Sequence, residues 1–257
     1  MPAPRMFSLD DRTALVTGSS RGIGRALAVG LASAGARVVV HGRTQDSADA
    51  GLPPVAAAAQ AAGAPEPLAR GFDVTDEQAV TDAVDALGDI HVLVCNVGVT
   101  HREPLLEVAA ADFERVLATN LTAAFLVCRG VARSMVARGG GSIVTIGSVQ
   151  TALARPGIAA YAASKAGLAG LTRSMCAEWA PSGVQVNALA PGYIVTDLTR
   201  PLVDDEAFDA WVRGRTPAGR WGSVDDLVGT CIWLASPAAR FVNGQVVHVD
   251  GGMTAVV

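Results

Sequence analysis

Half of the 257 residues are hydrophobic and 17% are charged, proportions that suit an α/β domain whose sheet is buried on both faces. A net charge of −4 with scattered arginines leaves no basic stripe for nucleic acid, and no run of about 18 apolar residues offers a membrane span. Met1 to Asp10 lacks the apolar stretch of a signal peptide and no Pro/Gly/Ser-rich linker divides the chain, so residues 1–257 are expected to form a single cytoplasmic domain.

Thr13 to Thr17 reads as a first strand. A glycine turn follows, Gly18-Ser-Ser-Arg-Gly22-Ile-Gly24, and then a helix pattern from Arg25 to Ala34. Glycines let the backbone turn tightly and approach a pyrophosphate, while the helix N-terminus offers free N–H groups and the positive end of its dipole. The spacing is GxxxGxG rather than GxGxxG, which predicts a loop one residue longer. Arg37 to His41 is the second strand. Its end carries Gly42, Arg43 and Thr44 where an acidic residue would bind a ribose 2′-hydroxyl. Arg43, helped by Arg21, can instead pair with a 2′-phosphate, so NADP(H) is expected in preference to NAD(H). As a solvated loop residue, Arg43 would leave the choice open. Gln45 to Ala62 is a helix in which Pro53 and Pro54 mark the start or an irregular entry. Leu68 to Phe72 is the third strand, with Asp73 and Val74 placed for an adenine edge. Thr75 then reads as the cap of a helix from about Asp76 to Leu87, with Gln78 at capping-box spacing.

Ile90 to Cys95 is a fourth, buried strand ending in Asn96-Val97-Gly98, a small polar turn suited to the rim of a cofactor cleft in an open parallel sheet. Beyond it, Arg102 is either a forked anchor for a substrate carboxylate or a solvent-exposed loop residue. A helix pattern from Asp112 to Arg138 runs through Asn120, whose amide is expected to bind a backbone group or a water, or to mark a kink. Ser142 to Gly147 is the fifth strand, with Ser148 just beyond it. A helix follows Pro156-Gly157 and runs to about Trp179, Val184 to Leu189 is the sixth strand, and Pro191-Gly192 turns the chain over the cleft. Residues 193–215 form a long insertion read as a substrate lid, with Thr196 in reach of a nicotinamide amide. Ser223 to Asp226 caps a helix ending near Ala235, and Val246 to Val249 is the last strand. The apolar tail from Met253 to Val257 suggests a subunit interface. Cys95, Cys128, Cys176 and Cys231 are widely spaced, with no CxxC and no His at ligand spacing, so reduced core cysteines and no metal site are expected.

The helix after Ser148 carries Tyr161-Ala162-Ala163-Ser164-Lys165, which places a phenol and an ammonium a turn apart on one face. A cation about 4 Å from a phenol hydroxyl, at an effective dielectric near 20, favours the phenolate by about 4 kcal/mol, roughly three pKa units. Lys165 is the only lysine among 20 basic residues. A compact ammonium and a planar guanidinium are not interchangeable, which singles the position out. If this helix packs beside the end of the fifth strand, Ser148 can hydrogen-bond the same substrate oxygen that Tyr161 protonates. An ordinary surface pair on a helix has the same spacing.

TGSSRGIG from Thr17, CNVG from Cys95, Asn120, Ser148, YAASK from Tyr161 and PGYIVT from Pro191 together resemble a short-chain dehydrogenase/reductase. The likeness runs from about Leu9 to Val257. It implies a doubly wound, Rossmann-like, seven-stranded parallel sheet in the order 3-2-1-4-5-6-7. It also implies that Tyr161 is the general acid/base, that Lys165 lowers its pKa and holds the nicotinamide ribose, that Ser148 orients a carbonyl, and that Asn120 holds a water in a proton relay. The cofactor is then expected along Gly18, Ser20, Arg21, Gly22, Ile23, Gly24, Arg43, Asp73, Val74, Asn96, Gly98, Tyr161, Lys165, Pro191, Gly192, Ile194 and Thr196. CNVG departs from the family's usual NNAG: Cys95 cannot make the amide contacts of the first Asn, and Val97 adds bulk beside the cofactor. Within the family, PGYIVTDLT, LVDDEAF, RTPAGRWG, VNGQVVHVDGGM and SVQTALAR are similar to the gluconate 5-dehydrogenases. That implies a polyol or keto sugar-acid substrate, D-gluconate and 5-keto-D-gluconate above all, held by Arg102, Ser148, Gln150 and Tyr193 in a homotetramer. A 3-oxoacyl thioester (acyl carrier protein) reductase and a non-catalytic, redox-sensing dinucleotide binder are the alternatives.

Overall fold

Short apolar runs in which successive side chains face opposite ways build the sheet. In the computed structural model, which describes residues 3–257, Thr13–Val16 (β1) sends Ala14 and Val16 into one apolar cluster and Leu15 into the other. Arg37–Gly42 (β2) does the same with Val38 and Val40 against Val39, and Val92–Cys95 (β4) with Val92 and Val94 against Leu93 and Cys95. A strand apolar on both faces must be covered on both faces. Gly22–Ser33 (α1) and Leu52–Ala62 (α2) cover the first cluster, and Glu77–Leu87 (α3) begins the cover of the second.

Leu68–Gly71 (β3) closes the nucleotide half of the sheet. On the other side stand Gly141–Ile146 (β5), Val184–Pro191 (β6) and Val246–Val249 (β7). All pairings are parallel and the order is β3-β2-β1-β4-β5-β6-β7, the doubly wound arrangement expected. Ala110–Arg138 (α4) and Ala159–Trp179 (α5) complete the second helical layer, and Val228–Ala235 (α7) completes the first. Between β6 and β7, Arg200–Val203 and Glu206–Arg215 (α6) make the insertion read as a lid helical. By length and composition α4 could cross a membrane, yet 44% of its apolar window is buried inside the protein.

Several boundaries differ from expectation for local reasons. The Gln45 to Ala62 segment is two helices, Gln45–Asp49 and α2, with Pro53 and Pro54 in the first turn of α2, where a missing N–H is harmless. Asp76, not Thr75, caps α3: its carboxylate accepts from the N–H groups of Gln78 and Ala79 at 2.9 and 3.1 Å, while Thr75 bonds back to Asp73. The Ser223–Asp226 capping box forms, and it opens a 3₁₀ turn, Val224–Leu227, before α7 begins. All four cysteines are free, and Cys95, Cys128 and Cys231 are buried.

Candidate active site

The carboxyl ends of β1, β2 and β4 hold the glycine loop. Gly18 and Gly22 adopt φ of 64° and 56°, a region that L side chains rarely enter. A Cβ on Gly24 would overlap the Gly18 carbonyl and the Asn96 amide, so the helix start can pack on the loop only as glycine. At Gly22 the same construction meets open space. Helix α1 starts there with Arg21 extended and no side chain capping it, which leaves its first N–H groups free for an anion. This open, donor-rich concavity fits the pyrophosphate of a dinucleotide.

Two side chains hold the loop. Asn96 donates from Nδ2 to the carbonyls of Thr17 and Gly18, both at 3.1 Å, and its N–H bonds Thr17 Oγ1 at 3.0 Å. Asn96, expected at the cofactor, thus uses its side-chain and backbone donors to shape the loop. His41, which sequence reasoning treated only as a strand residue, is the second. Its Nδ1 accepts from the Gly18 N–H at 2.8 Å, which makes Nε2 the donor to Phe72 O at 3.0 Å. Burial pushes its pKa down to about 4, against the bond to Phe72 and the charge of Asp73. Arg43 is exposed at the end of β2, near enough to help lower the Asp73 pKa after the two bonds from Thr75. A cavity of about 700 Å³ opens between α1, α7 and the 195–200 segment, and Gly22 and Thr196 are among its walls. It reaches neither Ser148 nor Tyr161.

The carboxyl end of β5 and the first turns of α5 bring Ser148, Tyr161 and Lys165 together. Lys165 is buried, donates to Ile146 O at 2.6 Å, and lies 5.6 Å from the centre of the Tyr161 ring. Burial brings its pKa down to about 8, opposed by Cys95. Tyr161 corrects the expectation of a lowered pKa in the chain alone. Burial raises it, and a hydrogen bond with Ser148 opposes the rise. Lys165 Nζ makes no hydrogen bond to the Tyr161 hydroxyl among the described residues; its bond goes to the Ile146 carbonyl, so helical spacing alone does not pair the ammonium with the phenol oxygen. Ser148 Oγ also accepts from Gln150 N at 3.2 Å, fixing the turn that follows β5.

Asn120 sits in a π-helical turn, Ala118–Thr122, within α4. Its amide brackets Val99, accepting from the N–H at 2.8 Å and donating to the carbonyl at 2.9 Å, and it also donates to Ser164 Oγ at 3.0 Å. Ser164 in turn donates to Tyr161 O at 2.7 Å. The expectation of a backbone partner holds, and the wide turn is what swings the amide into place. A Cβ on Gly98 would stand 3.6 Å from both Asn120 Oδ1 and Lys165 Nζ. The last residue of the CNVG turn therefore lies against this cluster.

The lid side is less satisfied. Among the described residues, Gln150 Oε1 and Tyr193 OH are buried without a hydrogen-bond partner of good geometry. The Tyr193 ring packs on Phe208, Trp211 and Trp221 at 5.6, 5.7 and 5.6 Å, and burial raises its pKa against the cationic pull of Arg155 and Arg102. Arg102 is exposed at the cleft, yet partial desolvation and then the repulsion of Arg155 lower its pKa. Arg155 was not singled out from the sequence.

The family model described as enoyl-(acyl carrier protein) reductase, a short-chain dehydrogenase/reductase model, matches residues 18–254. The chain is a short-chain dehydrogenase/reductase. It is 48% identical over 261 residues to the gluconate 5-dehydrogenase of Gluconobacter oxydans, covering 99% of each chain. It is 42% identical over 257 residues to the 5-keto-D-gluconate 5-reductase of Escherichia coli K12, covering 98% of this chain and 99% of the relative. Among solved structures, the gluconate 5-dehydrogenase from Burkholderia cenocepacia in complex with NADP and tartrate superposes with a TM-score of 0.93 at 47% identity, over 99% of this chain and all of that one. As a short-chain dehydrogenase/reductase the protein is an oxidoreductase that uses a nicotinamide dinucleotide.

Proposed function

We propose that the enzyme interconverts a secondary alcohol and a ketone on a sugar acid, D-gluconate and 5-keto-D-gluconate above all, with NADP(H) preferred over NAD(H). The observation that carries this reading is the convergence of Ser148, Tyr161 and a buried Lys165 at the end of β5, beside the glycine loop. A bound nicotinamide supplies or accepts the hydride. Ser148 and Tyr161 take the substrate oxygen between two hydroxyl groups, and in the reductive direction Tyr161 gives it a proton. Lys165, anchored to the Ile146 carbonyl, has further N–H donors for the nicotinamide ribose and helps stabilise the phenolate that Tyr161 leaves behind. Asn120 holds the 96–99 turn to the same helix. With both amide hydrogens engaged, it offers only acceptor positions to a relay water.

Pro191, Gly192, Ile194 and Thr196 border the nicotinamide end, and Ser20, Arg21, Ile23, Val74 and Arg43 border the other. On the substrate side, Gln150 Oε1 accepts a substrate hydroxyl, Tyr193 OH supplies a second polar contact, and Arg102 pairs with the carboxylate. The enzyme works in the cytoplasm as a homotetramer, an assembly that would cover the exposed Phe125, Val256 and Val257. The test is a screen of NADPH oxidation across keto-gluconates, simple ketones and acetoacetyl thioesters. Turnover highest with 5-keto-D-gluconate is the expected result. Preference for the thioester would replace this reading with acyl reduction, and absence of turnover with all three would leave a nucleotide-binding protein.

A further inference from the structure

Five arginine–carboxylate pairs join the described residues, and neither Arg102 nor Arg155 belongs to one. In a chain of net charge −4, a guanidinium at Arg102 that lies within reach of the Arg155 charge, with neither paired to a carboxylate, is conspicuous. A guanidinium does not escape such repulsion by losing its proton, so the pair is relieved by an anion. Arg155 lies half-buried on the irregular stretch between the Val149–Thr151 turn and α5, five positions after Gln150. Its guanidinium carbon stands 5.3 Å from the centre of the Phe208 ring, on α6 of the lid. It makes one long hydrogen bond, 3.4 Å, to its neighbour's carbonyl at Pro156, and its charge and donors act on the Tyr193 hydroxyl, so most of its fork faces the lid side without a carboxylate. Tyr193, whose hydroxyl is buried without a hydrogen-bond partner of good geometry, packs on that same Phe208.

We propose that Arg155 is a second carboxylate anchor of the substrate site, taking the acid group together with Arg102 and, through its stacking on Phe208, tying acid binding to the position of the lid. The inference rests on the sugar-acid reading above and makes it specific, because it names the group that separates acids from neutral sugars. A carboxylate held between two planar forks is oriented as well as attracted, which fixes the distance from the acid carbon to the carbonyl at Ser148 and Tyr161. The stacking contact explains why this arginine belongs to the site and not to solvent. A cation over an aromatic face gains most where water is excluded, and Phe208 sits in a cluster with Tyr193, Trp211 and Trp221.

The test compares Arg155→Met with the parent enzyme on 5-keto-D-gluconate and on an uncharged keto-sugar such as L-sorbose. In parallel, D-gluconate and tartrate are titrated into the NADP-loaded enzyme by calorimetry. The expected result is a rise of about tenfold to a hundredfold in KM for the keto acid and in Kd for both hydroxy acids. KM for the neutral sugar stays within about twofold. Arg155→Lys, which keeps the charge and loses the fork, should recover part of the acid affinity. Equal losses on charged and neutral substrates would reduce Arg155 to lid packing, and unchanged acid KM would remove it from the site. If the parent enzyme turns over no sugar acid, the proposed substrate fails. The anchor then stands only if Arg155→Met still weakens hydroxy-acid binding at least tenfold. If sugar acids are turned over and Arg155→Met binds them normally, the anchor fails alone.

Discussion

The glycine loop and the lid stand at the same end of the sheet and are held together in opposite ways. Around the loop, side-chain hydrogen bonds close on the protein itself. Asn96 satisfies two carbonyls, and His41 takes the Gly18 N–H on one nitrogen and gives the other to Phe72. Around the lid, polar groups are left over: among the described residues Gln150 Oε1 and Tyr193 OH have no hydrogen-bond partner of good geometry, and Arg102, which the charge of Arg155 reaches, has no carboxylate, nor has Arg155. A buried polar atom without a hydrogen bond costs about 1–3 kcal/mol, so such groups are retained where a ligand completes them. The loop is thus ready before the nucleotide arrives, whereas the lid side is finished by its substrate.

Between the two lies the proton-transfer pair, and the largest effect should appear there. Tyr161→Phe is expected to lower kcat by about 10²–10⁴, the range of a lost general acid, with nucleotide affinity nearly unchanged. Turnover at the parent rate would remove Tyr161 from the chemistry. Lys165→Met should separate activity from stability. The folded-state pKa of Lys165 is lowered to about 8 from 10.5, so the unfolded chain binds the extra proton between those values and stability rises with pH across that window. Below pH 8 the full cost of the buried ammonium is present, about 3 kcal/mol by the shift. The methionine variant should therefore be inactive, should melt higher than the parent at pH 7, and should lose the rise between pH 8 and 10.5. A lower melting temperature at pH 7 would show that the bond to Ile146 outweighs the desolvation.

On the loop side the sign of the pH effect is set by His41. Its pKa is lowered from 6.5 to about 4, so the neutral ring's contribution is complete above pH 6.5 and is lost as pH falls from 6.5 to 4. The loss amounts to about 3 kcal/mol over that window. His41→Asn, whose amide oxygen can still accept from the Gly18 N–H, should flatten the stability profile there in denaturant titrations at several pH values. An unchanged slope would mean that other groups govern acid unfolding.

The centre of the sheet was legible because β1, β2, β4, β5 and β6 are short apolar runs buried along most of their length, while the half-exposed edge strands β3 and β7 took their place from the resemblance. The catalytic trio was legible as a resemblance, and the electrostatics between its members were not. Helical spacing put Lys165 a turn from Tyr161, but only the packing against Ile146 shows that the ammonium lies over the ring. His41 hid inside a strand because its partners, Gly18 and Phe72, come from different strands' ends and meet only through the β2 pairings with β1 and β3. Thr75 and Asp76 are both capping residues, and the bond from Thr75 to Asp73 is what decides between them. Arg155 sits in an irregular stretch, and its partner Phe208 lies across the cleft on α6, a contact that no local pattern announces.

Arg43 sharpens the contrast with the smallest effect, because it is an unpaired cation on the otherwise satisfied side. It is exposed, makes no ion pair among the described residues, and acts on Asp73 only as a neighbouring charge. A residue in that state resembles the lid arginines more than it resembles His41 or Asn96, and a 2′-phosphate would complete it in the same way. Arg43→Ala should raise KM for NADPH about tenfold, roughly 1.4 kcal/mol, and leave KM for NADH within about twofold. The parent KM for NADPH should also climb with ionic strength more steeply than that of the variant, since an exposed pair is screened within about 10 Å at 0.1 M salt. Equal changes with both nucleotides would make Arg43 a solvated loop residue and would leave the nucleotide preference to other groups at the end of β2.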